Sequence, residues 1–286
     1  MGYRIRVIAA LLAFGLLPGC GGASMGALAD TPASTELDSD IGRSVDHALV
    51  FLPRGLEEPL SGRLSSPEIA EHVARIDPSH ALPTLIYIHG CTGLGDYDLL
   101  RAVAQRGLAV VAPDSFARRY RPMQCDPERQ TGGRNLFVFD FRITEISYAV
   151  HRLRQMSWVD GERMFLAGTS EGGVAAALYR GDDFRARVIA QWTCHGTPLI
   201  RGLAAPLGEP VLAIVRADDP WYDPRRTPGQ KGHCGEFMAG RPHSDSVVLE
   251  GGPGHFVFDD PKALGRVLDF LTEELLATEK RAAGRY

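Results

Sequence analysis

The stretch that decides the fold runs Arg163-Met-Phe-Leu-Ala-Gly-Thr-Ser170-Glu-Gly-Gly-Val-Ala-Ala-Ala-Leu178. Arg163 to Ala167 reads as a strand and Val174 to Leu178 as helix-forming sequence, and between them lies Gly168-Thr169-Ser170-Glu171-Gly172. A GxSxG match alone is a weak signal in a chain with 32 glycines. Its flanks give it meaning. A strand that turns sharply into a helix around a serine carries the hydroxyl at the apex of the turn, as a nucleophile elbow does. The backbone in such a turn is tight enough that a side chain two residues to either side would clash, so both positions need glycine. The helix start then aims free N–H groups at negative charge developing on an attacked carbonyl.

Outward from this turn, apolar runs alternate with helical patterns. Strands are expected at Ala48 to Leu52, Thr84 to Ile88, Leu108 to Ala112, Val188 to Trp192, Val211 to Val215 and Ser246 to Leu249. Residues 140 to 156 carry a helical period through Ile143, Ile146, Val150 and Leu153, and Lys262 to Thr278 forms a C-terminal amphipathic helix. Strand and helix in alternation, with no internal repeat, predict an α/β fold whose mostly parallel sheet is covered on both faces. In such sheets the chemistry sits at the carboxyl ends of the strands.

A nucleophilic serine needs a base and an orienting acid, which on this architecture follow it in the order Ser, acid, His. His255 lies in Gly251-Gly-Pro-Gly-His255, between the last strand and the final helix, whereas His233 and His243 precede that strand in a long polar loop. The acid is expected just after Val211 to Val215, where Asp218 and Asp219 stand; Asp219 fits the strand-to-acid spacing better and Asp218 is the alternate. An oxyanion hole requires two backbone donors. One is the N–H of Glu171, next to the serine, and the other comes from His89-Gly90-Cys91-Thr92-Gly93, which by position offers the Cys91 N–H. His89 is then a positioning residue and not the base. Phe116, Trp221 and Tyr222 are candidates to line an acyl or alcohol pocket, or to pack their loops.

The segments His89-Gly-Cys-Thr-Gly93, Ala109-Val-Val-Ala-Pro-Asp-Ser-Phe116 and Gly168-Thr-Ser-Glu-Gly-Gly173, with the late Asp and His, resemble the dienelactone hydrolase family of the α/β hydrolases over residues 48 to 278. Dienelactone hydrolases proper use cysteine as nucleophile, and Ser170 stands in that place. The resemblance therefore implies the α/β-hydrolase fold and hydrolase chemistry, with serine esterase activity on a small ester substrate and no cofactor or metal. Two other classes compete. One is a peptidase of the prolyl oligopeptidase type, which normally carries a propeller domain that a chain of 286 residues has no room for. The other is a non-catalytic envelope binding lipoprotein on the same scaffold.

The remaining features concern export. Arg4 and Arg6 precede an eleven-residue apolar run, Val7 to Leu17, which is too short to span a bilayer and reads as a secretory signal over residues 1 to 19. It ends Leu17-Pro18-Gly19-Cys20, similar to a bacterial lipobox with Cys20 as the lipidated residue and so the membrane attachment; Ala27-Leu28-Ala29 is a rival cleavage site. Residues 20 to 45 read as a flexible tether and 46 to 286 as the catalytic domain. The other four cysteines are Cys91, Cys125, Cys194 and Cys234, an even number suited to two disulfides in an oxidising compartment. Their places in neighbouring loops favour Cys91–Cys125 and Cys194–Cys234. A zinc site from Cys194-His195 and His233-Cys234 is the rival, but it lacks CxxC spacing. With 31 Lys and Arg against 35 Asp and Glu, the net charge of −4 gives no electrostatic reason to expect a nucleic-acid partner.

Overall fold

The computed structural model describes residues 39–283 apart from 56, 123, 133–134, 136, 197–199 and 252–253. The expected signal segment, Cys20 and most of the expected tether lie outside the described residues.

Eight strands form one sheet: β1 (Leu49–Arg54), β2 (Glu57–Arg63), β3 (Leu82–Ile88), β4 (Ala109–Ala112), β5 (Val159–Thr169), β6 (Arg187–Ala190), β7 (Val211–Arg216) and β8 (Asp245–Leu249). Their order is β2-β1-β4-β3-β5-β6-β7-β8. The six strands from β4 to β8 along this row run parallel, while β1 pairs antiparallel with both β4 and β2 at one edge. The helices are α1 (Gly42–Asp46), α2 (Pro67–Val73), α3 (Tyr97–Gln105), α4 (Phe137–Leu153), α5 (Glu171–Leu178) and α6 (Pro261–Ala283). This is the mostly parallel α/β arrangement expected from the sequence.

Period-two alternation sends successive side chains of each strand into different cores. Leu85 and Tyr87 of β3 join Phe165 and Ala167 of β5 in a layer closed by Leu99 and Val103 of α3 and by Val267, Phe270 and Leu271 of α6. Ile86 and Ile88 join Met164 and Leu166 in the opposite layer, closed by Ile146, Ala149 and Leu153 of α4 and by Ala175 and Ala176 of α5. Both faces of the central strands are therefore apolar, and a continuous apolar run such as Leu85 to Ile88 is what that burial demands.

Packing begins before residue 46. Ser44 and Val45 are fully buried on α1, and Asp40 accepts a 3.0 Å bond from Arg118 Nε, so the domain's packing already includes residues placed in the tether. Besides α1, three elements were not expected. Strand β2 is charged and largely exposed, and it exists through its pairing with β1; α2 buries only Ile69; and α3 buries a stripe of Leu99, Leu100, Val103 and Ala104. Among the described residues, no helix is long and apolar enough to cross a membrane.

Candidate active site

Ser170 sits between β5 and α5 with φ 54° and ψ −117°, a backbone region that a non-glycine residue occupies only when its surroundings force it. The forcing contacts come from three glycines. A Cβ at Gly168 would lie 2.2 Å from the Gly172 carbonyl oxygen, one at Gly172 would lie 2.0 Å from the Ile88 carbonyl oxygen, and one at Gly173 would lie 2.5 Å from the Ala190 carbonyl oxygen. Helix α5 thus presses against the ends of β3, β5 and β6, and the serine at its start is pushed outward.

Three side chains from three loops meet at this apex. Ser170 Oγ lies 2.8 Å from His255 Nε2, and His255 Nδ1 lies 2.7 Å from Asp219 Oδ2. Asp219 follows β7, caps the short 3₁₀ turn Pro220–Tyr222, and accepts the Trp221 N–H on Oδ1 at 3.0 Å. One carboxylate oxygen is therefore held by backbone while the other faces the imidazole. Asp219 is 5% exposed, whereas Asp218 is exposed to solvent. The Trp221 ring packs 5.2 Å from the His255 ring, with the rings of Tyr222 and Phe256 at 6.3 and 6.2 Å. His233 and His243 serve elsewhere: the former accepts the Gly235 N–H, and the latter lies 3.2 Å from Glu274.

The loop after β3 passes beside the serine, and a Cβ on Gly90 would lie 3.4 Å from Ser170 Cβ. Below it, His89 is fully buried. The Ser115 N–H donates to its Nε2 at 3.0 Å, which leaves the proton on Nδ1, and Nδ1 donates to the Gly90 carbonyl at 2.7 Å. Burial, reinforced by the Arg142 guanidinium, holds this imidazole well below its ordinary pKa, so it stays neutral. The Cys91–Cys125 disulfide ties the same loop to the segment after β4, and a second disulfide joins Cys194 to Cys234. The two sulfurs considered for a metal are bonded to each other.

Sequence reasoning missed an ion network beneath this loop. Arg142 Nη1 donates to Glu145 at 2.8 Å and its Nη2 to the His89 carbonyl at 2.8 Å. Glu145 also accepts from Ser115 Oγ at 2.8 Å and from Arg118 at 3.0 Å. Arg121 reaches Glu171 Oε1 at 2.5 Å, and Arg142 Nε lies 3.4 Å from the same oxygen. Burial raises the Glu171 carboxyl pKa, and the Arg142 and Arg121 charges oppose that rise. The network therefore links the side chain of the residue after Ser170 to the main chain of the residue before Gly90. A signal for it was present in α4, where Arg142 and Glu145 occupy the same helical stripe as Val138 and Ala149, the stripe that is buried.

Two hollows flank Ser170, and Cys91, Ser170 and Trp221 line both. The larger, about 300 Å³, is bordered by His255, Phe256, Gln191, Asp96 and Tyr87. Tyr87 donates to Asp96 and pairs with Thr169 Oγ1 at 2.9 Å. The smaller, about 180 Å³, is bordered by Glu171, Gln124, Trp192, Tyr222 and Phe139. Trp221 lines both hollows and Tyr222 the smaller one. Phe116 is 44% exposed, stacks on His89 at 5.7 Å under the Arg121 guanidinium, and lines neither hollow.

No family model matches the chain. A stretch of 106 residues is 30% identical to "Putative esterase YitV" of Bacillus subtilis (strain 168), covering 36% of this chain and 41% of that protein, so the match spans less than half the length of the curated relative. Among solved structures, the chain is similar to a protein described as a putative dienelactone hydrolase from Klebsiella pneumoniae, at 18% identity and TM-score 0.45 over 67% of this chain and 87% of that one. It is also similar to an esterase from Pyrobaculum calidifontis, at 16% identity and TM-score 0.46 over 68% and 77% of the two chains.

Proposed function

We propose that the protein is a serine hydrolase that cleaves carboxylic esters through an acyl-enzyme. The observation that carries this reading is the continuous path Ser170 Oγ–His255 Nε2–His255 Nδ1–Asp219 Oδ2, with links of 2.8 and 2.7 Å, at the start of α5. In this account His255 removes the Ser170 proton as Oγ attacks the ester carbonyl, and the buried Asp219 carboxylate fixes the Nδ1–H tautomer and stabilises the imidazolium. The Glu171 N–H belongs to the first turn of α5, whose donors lack helical partners, and with the Cys91 N–H it receives the oxyanion. The tetrahedral intermediate collapses as His255 protonates the leaving alkoxide. Water then attacks the acyl-enzyme, giving up its proton to His255, which passes it to Ser170 Oγ as the acid product leaves.

The leaving oxygen must reach His255 Nε2, so the alcohol occupies the hollow that His255 borders and the acyl group the other. Turnover of a short-chain nitrophenyl ester by the wild type, abolished in Ser170→Ala, is the expected result; equal turnover by both proteins would refute the reading.

The two disulfides favour an oxidising compartment. Attachment to the cell envelope through Cys20 is proposed from the lipobox-like Leu17-Pro18-Gly19-Cys20. More than one acyl chain on that cysteine, at about 0.8 kcal/mol per buried CH₂, is enough for stable anchoring. Wild type should enter the detergent phase and Cys20→Ser the aqueous phase; both remaining aqueous would rule the anchor out.

A further inference from the structure

Two residues that line the smaller hollow each carry a buried side-chain atom with no hydrogen-bond partner. Gln124 is 3% exposed, and its Oε1 accepts the Asn135 N–H at 2.9 Å. That bond fixes which end of the amide is oxygen, and the other end, Nε2, is buried with no hydrogen-bond partner. Glu171 is 5% exposed; its Oε1 is taken by Arg121, while its Oε2 is likewise buried and unpartnered. Both residues line the hollow next to Ser170. An unmet donor and an unmet acceptor each cost free energy in a folded protein, and such atoms are normally paired. A hydroxyl group is the simplest partner for both, since it accepts from an amide N–H and donates to a carboxylate.

The rest of the hollow sets the size and character of the group that would bring this hydroxyl. About 180 Å³ is close to the roughly 150 Å³ of a protein cavity that holds one benzene ring. Trp192, Trp221, Tyr222 and Phe139 supply aromatic faces around it. Both polar residues are tethered: Cys125, bonded to Cys91, is the next residue after Gln124, and Arg121 grips Glu171. Both side chains are thus held in place before a substrate arrives.

Resting on the esterase reading, we propose that the acyl subsite selects a ring-sized acyl group bearing a hydroxyl, which accepts from Gln124 Nε2 and donates to Glu171 Oε2. The test compares kcat/KM for methyl benzoate with that for methyl 3- and 4-hydroxybenzoate, with 3- and 4-fluorobenzoate as size controls and a short nitrophenyl ester alongside. At least one hydroxy isomer should exceed its fluoro counterpart by tenfold or more in the wild type. That ratio should fall to within about threefold of unity in Gln124→Glu, which keeps the acceptor for Asn135 but loses the donor, and in Gln124→Met. A wild-type ratio near one, a ratio that survives both substitutions, or cleavage of the nitrophenyl ester with none of the benzoates would overturn this inference and leave the esterase reading standing. Cleavage of no ester at all would overturn both.

Discussion

Asp219 and His255, 36 residues apart, are joined by a 2.7 Å bond while the second oxygen of Asp219 is occupied by the Trp221 N–H. The carboxylate is held at both ends, so its direction toward the imidazole is set by backbone and does not depend on a bound substrate. Asp218, one residue earlier, has the same charge and none of these contacts with the imidazole.

The first prediction follows from that asymmetry. Asp219→Asn keeps the shape but lets an amide N–H face Nδ1, favouring the wrong tautomer, and kcat should fall by about 10⁴-fold. Asp218→Asn should stay within about twofold of wild type. Steady-state kinetics on a short ester separates the two carboxylates, and equal losses would contradict the assignment of the acid.

A second prediction concerns the packing behind Ser170. Gly172→Ala drives a methyl group to 2.0 Å from the Ile88 carbonyl oxygen, where only backbone movement makes room. Its cost should be about 3 kcal/mol, the upper end of ordinary overpacking. Gly208 has open space within 4 Å, so Gly208→Ala should change stability by less than about 0.5 kcal/mol. Urea unfolding midpoints of the two variants provide the comparison.

The disulfides should differ in what they support. Cys91–Cys125 closes a separation of 34 residues and Cys194–Cys234 one of 40, so chain entropy assigns each about 4 kcal/mol of stability. Only the former anchors the loop that carries the Cys91 N–H. Replacing Cys91 and Cys125 together by alanine should lower kcat about tenfold with a smaller change in KM, as well as lowering Tm. The Cys194→Ala/Cys234→Ala protein should lose stability with less effect on kcat. Equal kcat losses would mean that the first bridge does not brace the oxyanion loop.

His89 makes stability depend on pH. Its folded pKa lies well below that of the unfolded chain, so between the two values the unfolded state binds a proton that the native state does not. The contribution is fully present above about pH 6.5 and is lost as pH falls toward the folded value, at up to about 1.4 kcal/mol per pH unit. His89→Gln removes the ionisable group. The drop in unfolding free energy between pH 7.5 and 5.5 should therefore be smaller in the variant, and an identical drop would show that the imidazole is not buried neutral.

The parallel strands and the Ser170 elbow were legible because their signals are local: continuous apolar runs mark strands buried on both faces, and two glycines beside a serine mark a turn that tolerates no Cβ. Strand order leads to an expected acid after β7, with Asp218 and Asp219 both open, and a histidine after β8, while the cysteines pair as Cys91–Cys125 and Cys194–Cys234 in neighbouring loops. Strand β2 left no such mark, since Glu57, Glu58, Pro59 and Gly62 are poor strand formers and the segment is held by β1. The polar support was illegible for a different reason. Arg118, Arg121, Arg142, Glu145 and Glu171 come from three segments, and nothing local says that their charges meet under one loop. Nor does sequence separate the two roles open to Phe116, lining a pocket or packing its loop; its ring stacks on His89.

In the proposed mechanism Ser170 is a nucleophile activated by His255. Treatment with a fluorophosphonate followed by peptide mass mapping tests it most directly. A single stoichiometric adduct is expected on Ser170 in the wild type and none in Ser170→Ala, with labelling slowed by orders of magnitude in His255→Ala. An adduct that persists in Ser170→Ala, or labelling of Ser170 at an unchanged rate in His255→Ala, would contradict it.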